Sequence, residues 1–147
     1  MKRPVVIPTV YLLLVEGGRV LLSRRFNTGF MDGMYGFPAG HLRDDEERLS
    51  EAMVREAREE IGVDIAQEDL ELVHVMHRKQ TELGDERRVN LFFVARRWRG
   101  EPRIMEPDKC DDLQWFMLDG LPDNTIPYVR QAIGCFRKNM KYSEYGF

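Results

Sequence analysis

The stretch REAREEIGV, residues 55–63, constrains the fold of this 147-residue chain more than any other. It completes a run in which every fourth residue is apolar: Leu49, Met53, Ala57 and Ile61. Residues four apart lie on one face of an α-helix, and glycine commonly ends such a helix. With Gly62 as its stop, the pattern predicts a helix over residues 47–61 whose apolar row faces a core.

Three glutamates form a second row on this helix. Glu56, Glu59 and Glu60 are close enough in helical spacing that their carboxylates share one face. On a helical wheel, Glu60 projects within about 20° of Leu49, and Glu56 falls at the edge of the apolar row. Carboxylates that lose water take up protons or recruit a cation, and hard oxygen ligands suit Mg²⁺ or Mn²⁺. The helix therefore indicates a divalent metal site.

The same run has a simpler interpretation. Arg55 stands four residues from both Glu51 and Glu59, so the charges could form an ordinary salt-bridged face in solvent. The helix alone leaves both interpretations open, and the rest of the chain has to decide between them.

The remaining pattern is typical of an α/β fold in one domain, residues 1–147. Residues 5–15 and 19–25 are predicted as a strand hairpin around a Gly-Gly turn. Further strands are predicted at 71–80, 87–98 and 112–118, with a short one near Tyr35, and TELGDE, residues 81–86, as a hairpin loop. Residues 126–140 predict a second helix, with Pro127 in its first turn. The order indicates a mixed sheet with helices packed on it.

Composition limits the partners and the compartment. Charged residues make up 32% of the chain with a net charge of -3, which argues against a broad basic face for duplex nucleic acid but allows a small phosphorylated ligand. Cys110 and Cys135 form no CxxC pair and are predicted to be reduced thiols. Pro4 and Pro8 interrupt the apolar N-terminal run, which is also too short to span a bilayer. We therefore expect a cytoplasmic protein.

Residues 40–63 resemble the Nudix box, G-x5-E-x7-R-E-U-x-E-E-x-G-U, in which U is aliphatic. Residues 55–63 match every specified position if Ala57 counts as the small aliphatic residue. The first half carries one extra residue, which leaves the supporting acid open between Glu46 and Glu47. The resemblance implies an α/β/α sandwich on a mixed β-sheet with a catalytic helix.

Spacing outside the box is similar to that of the mutator-type nucleoside triphosphate pyrophosphohydrolases. This similarity implies that Arg25 contacts substrate phosphate, that Glu106 is a further metal-binding acid, and that Asn124 reads the base. Tyr128 is expected beside Asn124. Because Arg24 and Arg25 are adjacent on a strand, we expect one of the two to face the pocket. The three histidines have no metal-ligand spacing and are expected to be structural or at the surface: His41, His74 and His77.

Within the box, the resemblance implies a role for each charged residue. Glu56 and Glu60 are expected to ligate the metal, together with the carbonyl of Gly40. Glu59 is expected to be a ligand or the general base, although the mutator-type subgroup uses the position of Glu56 as the base. Arg55 is expected to orient these acids.

The resemblance predicts Mg²⁺-dependent hydrolysis of a nucleoside diphosphate linked to a group X, with Mn²⁺ as a possible replacement. The first candidate substrate is a nucleoside triphosphate, converted to monophosphate and pyrophosphate, and the compact length favours it. Alternatives are a dinucleoside polyphosphate, a nucleotide sugar or capped RNA. A non-catalytic nucleotide-binding regulator would be expected to have an eroded box, whereas this box retains its helix glutamates. The partner is a small-molecule nucleotide, and the chain is expected to be a monomer or a homodimer.

Overall fold

The computed structural model describes residues 1–80 and 86–147. Within these ranges, the strands are β1 Ile7–Glu16, β2 Arg19–Arg25, β3 Tyr35–Gly36, β4 Ala39–Gly40, β5 Glu71–Gln80, β6 Glu86–Ala95, β7 Cys110–Met117 and β8 Tyr142–Tyr145. The α-helices are α1 Leu49–Ile61 and α2 Pro127–Arg137, and a 3₁₀ helix spans Gln67–Asp69. The predicted loop at 81–86 lies outside the described residues except for Glu86, which begins β6.

The strands form one mixed sheet in the order β3-β2-β1-β6-β5-β8, with β4 added to β1 and β7 added to β2. The β1–β6 and β5–β8 pairs are parallel, and the other pairs are antiparallel. Strand β1 lies at the centre: residues 7–14 pair with β6, and its last two residues begin the pairing with β2. The predicted mixed sheet is confirmed.

Two apolar cores lie on opposite faces of β1. Tyr11 and Leu13 belong to a core that contains α2, whereas Leu12 and Leu14 belong to a core that contains α1. Successive strand residues point to opposite faces, so a continuous apolar run is what a strand buried on both sides requires. The layers are helix, sheet and helix, as the predicted α/β/α sandwich requires.

Helix α1 begins two residues later than predicted and ends as predicted. The Glu51 carboxylate accepts the backbone N–H of Arg48 at 2.8 Å, which places the cap at Arg48 and the first helical residue at Leu49. At the other end, Gly62 has a left-handed φ of 70° and donates its N–H to the carbonyl of Arg58 at 3.2 Å. Glycine adopts this conformation without a Cβ penalty.

The C-terminal segment differs from the prediction. Helix α2 ends at Arg137 instead of residue 140. Asn139 takes a left-handed φ of 57°, and Met140 donates its N–H to the carbonyl of Cys135 at 2.8 Å, which closes the helix. Strand β8 follows and pairs with β5, and the sequence pattern did not predict this element. In the described part of the chain, no helix is long and apolar enough to cross a membrane.

Candidate active site

A cavity of about 570 Å³ opens where the C-terminal end of α1 meets β1, β2, β5 and β6. Its charged lining residues are Arg24, Arg25, Glu60, Arg78, Arg88, Glu106 and Lys109. Its aromatic lining residues are Tyr11, Phe30, Phe37 and Tyr128. Two groups of charges are defined by their positions around it. The acidic cluster comprises Glu60 and Glu106, which line the cavity, together with Glu56 and Glu59 of the same helix as Glu60, which are not among its described lining residues; the basic pair comprises Arg78 and Arg88.

One arginine organises the acids of α1. Arg55 donates Nε to Glu47 Oε2 at 2.8 Å and Nη2 to Glu47 Oε1 at 3.0 Å. Its Nη1 donates to Glu56 Oε1 at 2.9 Å and to Glu59 Oε2 at 3.1 Å. Nη2 also donates to the carbonyl of His41 at 2.9 Å, which ties the loop before the helix to the same group. Arg55 therefore holds three carboxylates in fixed positions.

The structure distinguishes the two candidate supporting acids. The Glu47 side chain is 3% exposed, faces Arg55, and also accepts the backbone N–H of Arg43 at 2.7 Å. The hydrogen bonds from Arg55 lower the pKa of Glu47 to about 2. Glu46 is exposed, and its backbone N–H donates to Asp44 Oδ1 at 3.0 Å. The extra residue of the box is thus accommodated before the helix, and Glu47 is the acid that contacts Arg55.

Glu60 and Glu56 are the desolvated members of the acidic cluster. Burial, followed by the charge of Glu56, raises the pKa of Glu60 well above its usual value, although Ala39 donates its N–H to Oε2 at 2.9 Å. Burial also raises the pKa of Glu56, against the lowering effect of Arg55. Gly40 lies directly against Glu56, and a Cβ at that position would overlap the Glu56 carboxyl group. The position therefore requires glycine for this packing.

Glu106 reaches the same place from a separate segment. Arg103 donates its backbone N–H to the carbonyl of Ile61 at 3.0 Å, and Met105 donates to the carbonyl of Glu60 at 3.2 Å. These bonds fix the segment before β7 against the last turn of α1. The Glu106 charge contributes, after burial and other causes, to the raised pKa values of the helix acids.

The acidic cluster supplies oxygen donors of the kind that hard divalent cations prefer. The raised pKa values of Glu56 and Glu60 mean that their negative charges are incompletely compensated. Within residues 1–80 and 86–147, no three His, Cys, Asp or Glu side chains are grouped so that they could hold a metal ion. The chemistry of the donors fits Mg²⁺ or Mn²⁺, while Arg55 competes for Glu56 and Glu59.

The comparison with known proteins identifies the fold and the box. A family model described as the NUDIX domain matches residues 5–133. The chain belongs to the Nudix family. Residues 40–63, which carry the box, lie within the matched range, and the family that the box predicted is confirmed.

Individual relatives agree with this assignment. The NAD-capped RNA hydrolase NudC of Pseudomonas aeruginosa strain LESB58 is 33% identical over 115 residues, which cover 78% of this chain and 37% of NudC. The chain thus spans well under half of that relative. The MutT NUDIX hydrolase of Burkholderia pseudomallei is 30% identical with a TM-score of 0.80, over 89% of this chain and 98% of that one. The MutT protein of Methanosarcina mazei Go1, at 23% identity and a TM-score of 0.75 over 96% and 99%, shares the fold.

The substrate side of the Nudix cavity includes two adjacent residues of β2. Arg24 and Arg25 both belong to the residues that line the cavity, and the prediction that only one of the two side chains faces it stays a prediction. The pairing of β2 with β7 shifts register between these residues, and such a bulge interrupts strict side-chain alternation. Arg25 donates Nε to the carbonyl of Phe30 at 2.6 Å and Nη2 to Thr28 Oγ1 at 3.1 Å. Arg24 donates Nε to Asp111 at 2.7 Å.

The predicted base-reading residues are separated by the structure. Tyr128 is buried and lines the Nudix cavity. Asn124 is not one of the described residues that line it. Its side-chain amide donates to the carbonyl of Gly33 at 2.9 Å, and its own carbonyl accepts the N–H of Tyr35 at 2.9 Å. In this structure, Asn124 connects the loop after β2 to the start of β3.

The basic pair was not predicted from the sequence. Arg78 on β5 and Arg88 on β6 are direct cross-strand partners, and both line the Nudix cavity. His41, expected to be structural or at the surface, lines the cavity as well, and its Nε2 lies 2.7 Å from Arg88 Nη1. Desolvation and the Arg88 cation lower the pKa of His41, so the neutral ring accepts this hydrogen bond. The signal that could have found the pair is the period-2 alternation of both strands, once their register is known.

Proposed function

We propose that this Nudix domain hydrolyses a nucleoside diphosphate linked to a group X, with Mg²⁺ or Mn²⁺ as its metal. The first candidate is a nucleoside triphosphate that yields monophosphate and pyrophosphate. The observation that supports this proposal is the position of desolvated Glu60 in a cavity that cationic side chains also line, Arg25 and Lys109 among them. Acids that attract a cation and bases that attract phosphate are thereby combined in one cavity.

The proposed function assigns the metal ligands and the general base to acids of the acidic cluster. A divalent cation bound at the acidic cluster would neutralise phosphate oxygens and lower the pKa of water. Glu60, Glu56 and Glu106 would hold the ion, with the carbonyl of Gly40 and the Glu59 carboxylate as further candidate ligands. Glu56 is also our candidate general base, because the mutator-type subgroup that the sequence resembles uses this position as the base.

Two arginines position these groups. Arg55 orients Glu56 and Glu59 through charge-assisted hydrogen bonds, and Glu47 fixes Arg55 in turn. Arg25 would contact a substrate phosphate from β2, and Tyr128 would face the nucleoside. Asn124 would need to release Gly33 before it could read a base.

A second candidate substrate comes from the curated relative. The protein named NAD-capped RNA hydrolase NudC is 33% identical over the shared segment. A dinucleotide or an RNA cap is therefore the second candidate substrate. The bond to be hydrolysed is the phosphoric anhydride between its two nucleosides. A dinucleoside polyphosphate or a nucleotide sugar would present the same bond.

A product assay separates these candidates. Purified protein would be incubated with nucleoside triphosphates, NAD, ADP-ribose, a dinucleoside polyphosphate and capped RNA, each with Mg²⁺, Mn²⁺ or EDTA. We expect metal-dependent turnover, with pyrophosphate released from a triphosphate or two monophosphates released from a dinucleotide. If no compound is turned over with either metal while one nucleotide raises the Tm, the domain is a nucleotide-binding regulator and the proposal fails.

A further inference from the structure

Two like charges face each other across a strand pair in the wall of the cavity. Arg78 and Arg88 occupy opposed positions on β5 and β6, on the face that carries Tyr11 and Phe92. Like charges directly opposite in a sheet destabilise it. Both side chains are withdrawn from solvent, with Arg78 at 3% exposure and the Arg88 side chain at 14%. A folded chain that keeps this arrangement needs a compensating contact.

The compensation is incomplete for Arg88. Its Nη2 donates to Glu86 Oε2 at 2.7 Å, and its Nη1 donates to Thr9 Oγ1 at 3.2 Å and to His41 Nε2 at 2.7 Å. Its Nε is buried and has no hydrogen-bond partner in the described structure. Among the described residues, the Glu86 carboxylate is therefore the one anion that pairs with these two positive charges.

Arg78 has less support. Within residues 1–80 and 86–147, its guanidinium takes part in no ion pair, and its buried Nε has no hydrogen-bond partner. The guanidinium lies over the Tyr128 ring, 4.1 Å from the centroid. Stacking on an aromatic face stabilises a cation, but it leaves Nε unpaired, and burying an unpaired charge is costly. Because Arg78 lines the cavity, a bound anion would supply the counter-charge that the described residues do not provide.

The basic pair lies beside the acidic cluster. Arg88 Nη1 donates to Thr9 Oγ1 and to His41 Nε2. These two residues adjoin Val10 and Gly40, which pair with each other where Gly40 lies against Glu56. A phosphate chain bound at the acidic cluster would therefore extend towards the basic pair.

We infer that Arg78 and Arg88 form an anion subsite of the cavity, which binds a phosphoryl group of the substrate. A planar guanidinium group matches phosphate oxygens in bidentate fashion, and the pairing of Arg88 with Glu86 leaves the two arginines with net positive charge. The identity of the substrate rests on the proposed function, whereas anion binding by the pair does not.

Inorganic phosphate tests the subsite without catalysis. The Tm of the full chain would be measured in EDTA with sodium phosphate or pyrophosphate, against sodium chloride at equal ionic strength. We expect phosphate to raise the Tm of the wild type by several degrees and to leave that of Arg78→Met unchanged. Arg87→Gln is the matched control, because Arg87 is exposed on β6 beside Arg88 and does not line the cavity. An equal phosphate shift in wild type and Arg78→Met would overturn the inference.

The same variant distinguishes a ligand-binding role from a structural one. Removal of a charge that opposes Arg88 should leave the Tm of Arg78→Met in chloride equal to or above that of the wild type. A lower Tm combined with a retained phosphate shift would mean that Arg78 serves packing alone, and would refute the inference. If Arg78→Met does not fold, Arg78→Lys replaces it, since lysine keeps the charge but loses the bidentate fork and should lose most of the shift.

Kinetics on the best substrate of the panel provide the second test. In Arg78→Met we expect KM to rise by about tenfold or more, as for loss of one charge-assisted contact, with kcat little changed. An unchanged KM in Arg78→Met would refute the inference while leaving the proposed function intact. If no compound is turned over but phosphate still raises the Tm in a way that depends on Arg78, the inference stands and the proposed function fails.

Discussion

The acidic cluster and the basic pair both bring like charges together at the cavity, but they do so by different means. The acids Glu56 and Glu60 come from one helix, and Arg55, from the same helix, offsets the charge of Glu56. Arg78 and Arg88 come from two strands that are joined through their register. Helical spacing thus brings the helix acids together, whereas Arg78 and Arg88 meet because the sheet aligns residues that are ten positions apart in the chain. Crowding at both sites marks places where the fold accepts a cost that a ligand would relieve.

Glu60→Gln gives the largest expected effect. It tests whether the acids form a metal site or an ordinary salt-bridged face in solvent. The amide keeps an oxygen for the Ala39 N–H but loses the charge, so kcat should fall by roughly 10²–10⁴-fold. The free energy of unfolding should not fall, because the charge is desolvated in the native state. Steady-state kinetics and urea unfolding measure both, with exposed Glu68→Gln as control. Near-normal kcat at saturating Mg²⁺ would remove Glu60 from the site.

Glu47→Gln probes the ion pair that holds the acidic cluster together. Loss of the charged partner of Arg55 should lower the free energy of unfolding by roughly 1.5–3 kcal/mol, the scale of charge-assisted hydrogen bonds. The native pKa of about 2 lies below the usual 4.5, so Glu47 stabilises the fold above pH 4.5, and this contribution is lost as the pH falls towards 2. The variant should flatten that part of the pH profile.

Glu46→Gln is the matched control for this experiment, because Glu46 is exposed and precedes Glu47 directly. It should leave both the stability and its pH profile unchanged. The opposite ranking of the two variants would assign the supporting role to Glu46.

Gly40→Ala tests the contact between the loop and the acidic cluster. The added Cβ would overlap the Glu56 carboxyl group, which can rotate away at little cost to folding. We expect a fall in kcat of about tenfold, the effect of a displaced catalytic group, with a loss of less than about 1 kcal/mol in stability. If kcat remained normal, the position of Glu56 against Gly40 would be unimportant for activity.

Gly134→Ala is the smallest expected effect and the counterpart of that variant. Gly134 lies in α2, away from the acidic cluster, and a Cβ there would meet no atom within 4 Å. Alanine in a helix interior should therefore raise the free energy of unfolding by about 0.5–1 kcal/mol without changing kcat. Urea unfolding and the standard assay check this expectation.

The contrast between the two groups also explains what could be predicted from the sequence. Helical spacing is fixed, so the positions of Glu56, Glu59 and Glu60 along the chain were enough to place them on one face. The mixed sheet and its two helical layers followed from apolar runs and their order. The choice between Glu46 and Glu47 did not follow, because it depends on which residue the loop turns towards Arg55.

The basic pair could not be predicted for a related reason. A slip of one residue between β5 and β6 would turn Arg78 or Arg88 to the other face of the sheet, and periodicity alone does not fix the register. The bulge at Arg24 and Arg25 could not be predicted either, because nothing in the sequence shows where the alternation of side chains is interrupted. Strand β8 was not predicted because its four residues, polar and aromatic, follow a helix and give no apolar run that would indicate a strand.

The central position of β1 has a consequence for how the chain acquires its structure. Ile7 pairs with Arg88, so the strand that serves both cores is translated some eighty residues before the parallel partner that completes it. Pairing between distant segments is slow, because the entropy of closing the intervening chain is lost before the contacts form. Strand β1 therefore has no parallel partner until β6 has been synthesised, and assembly of the cavity waits for that step.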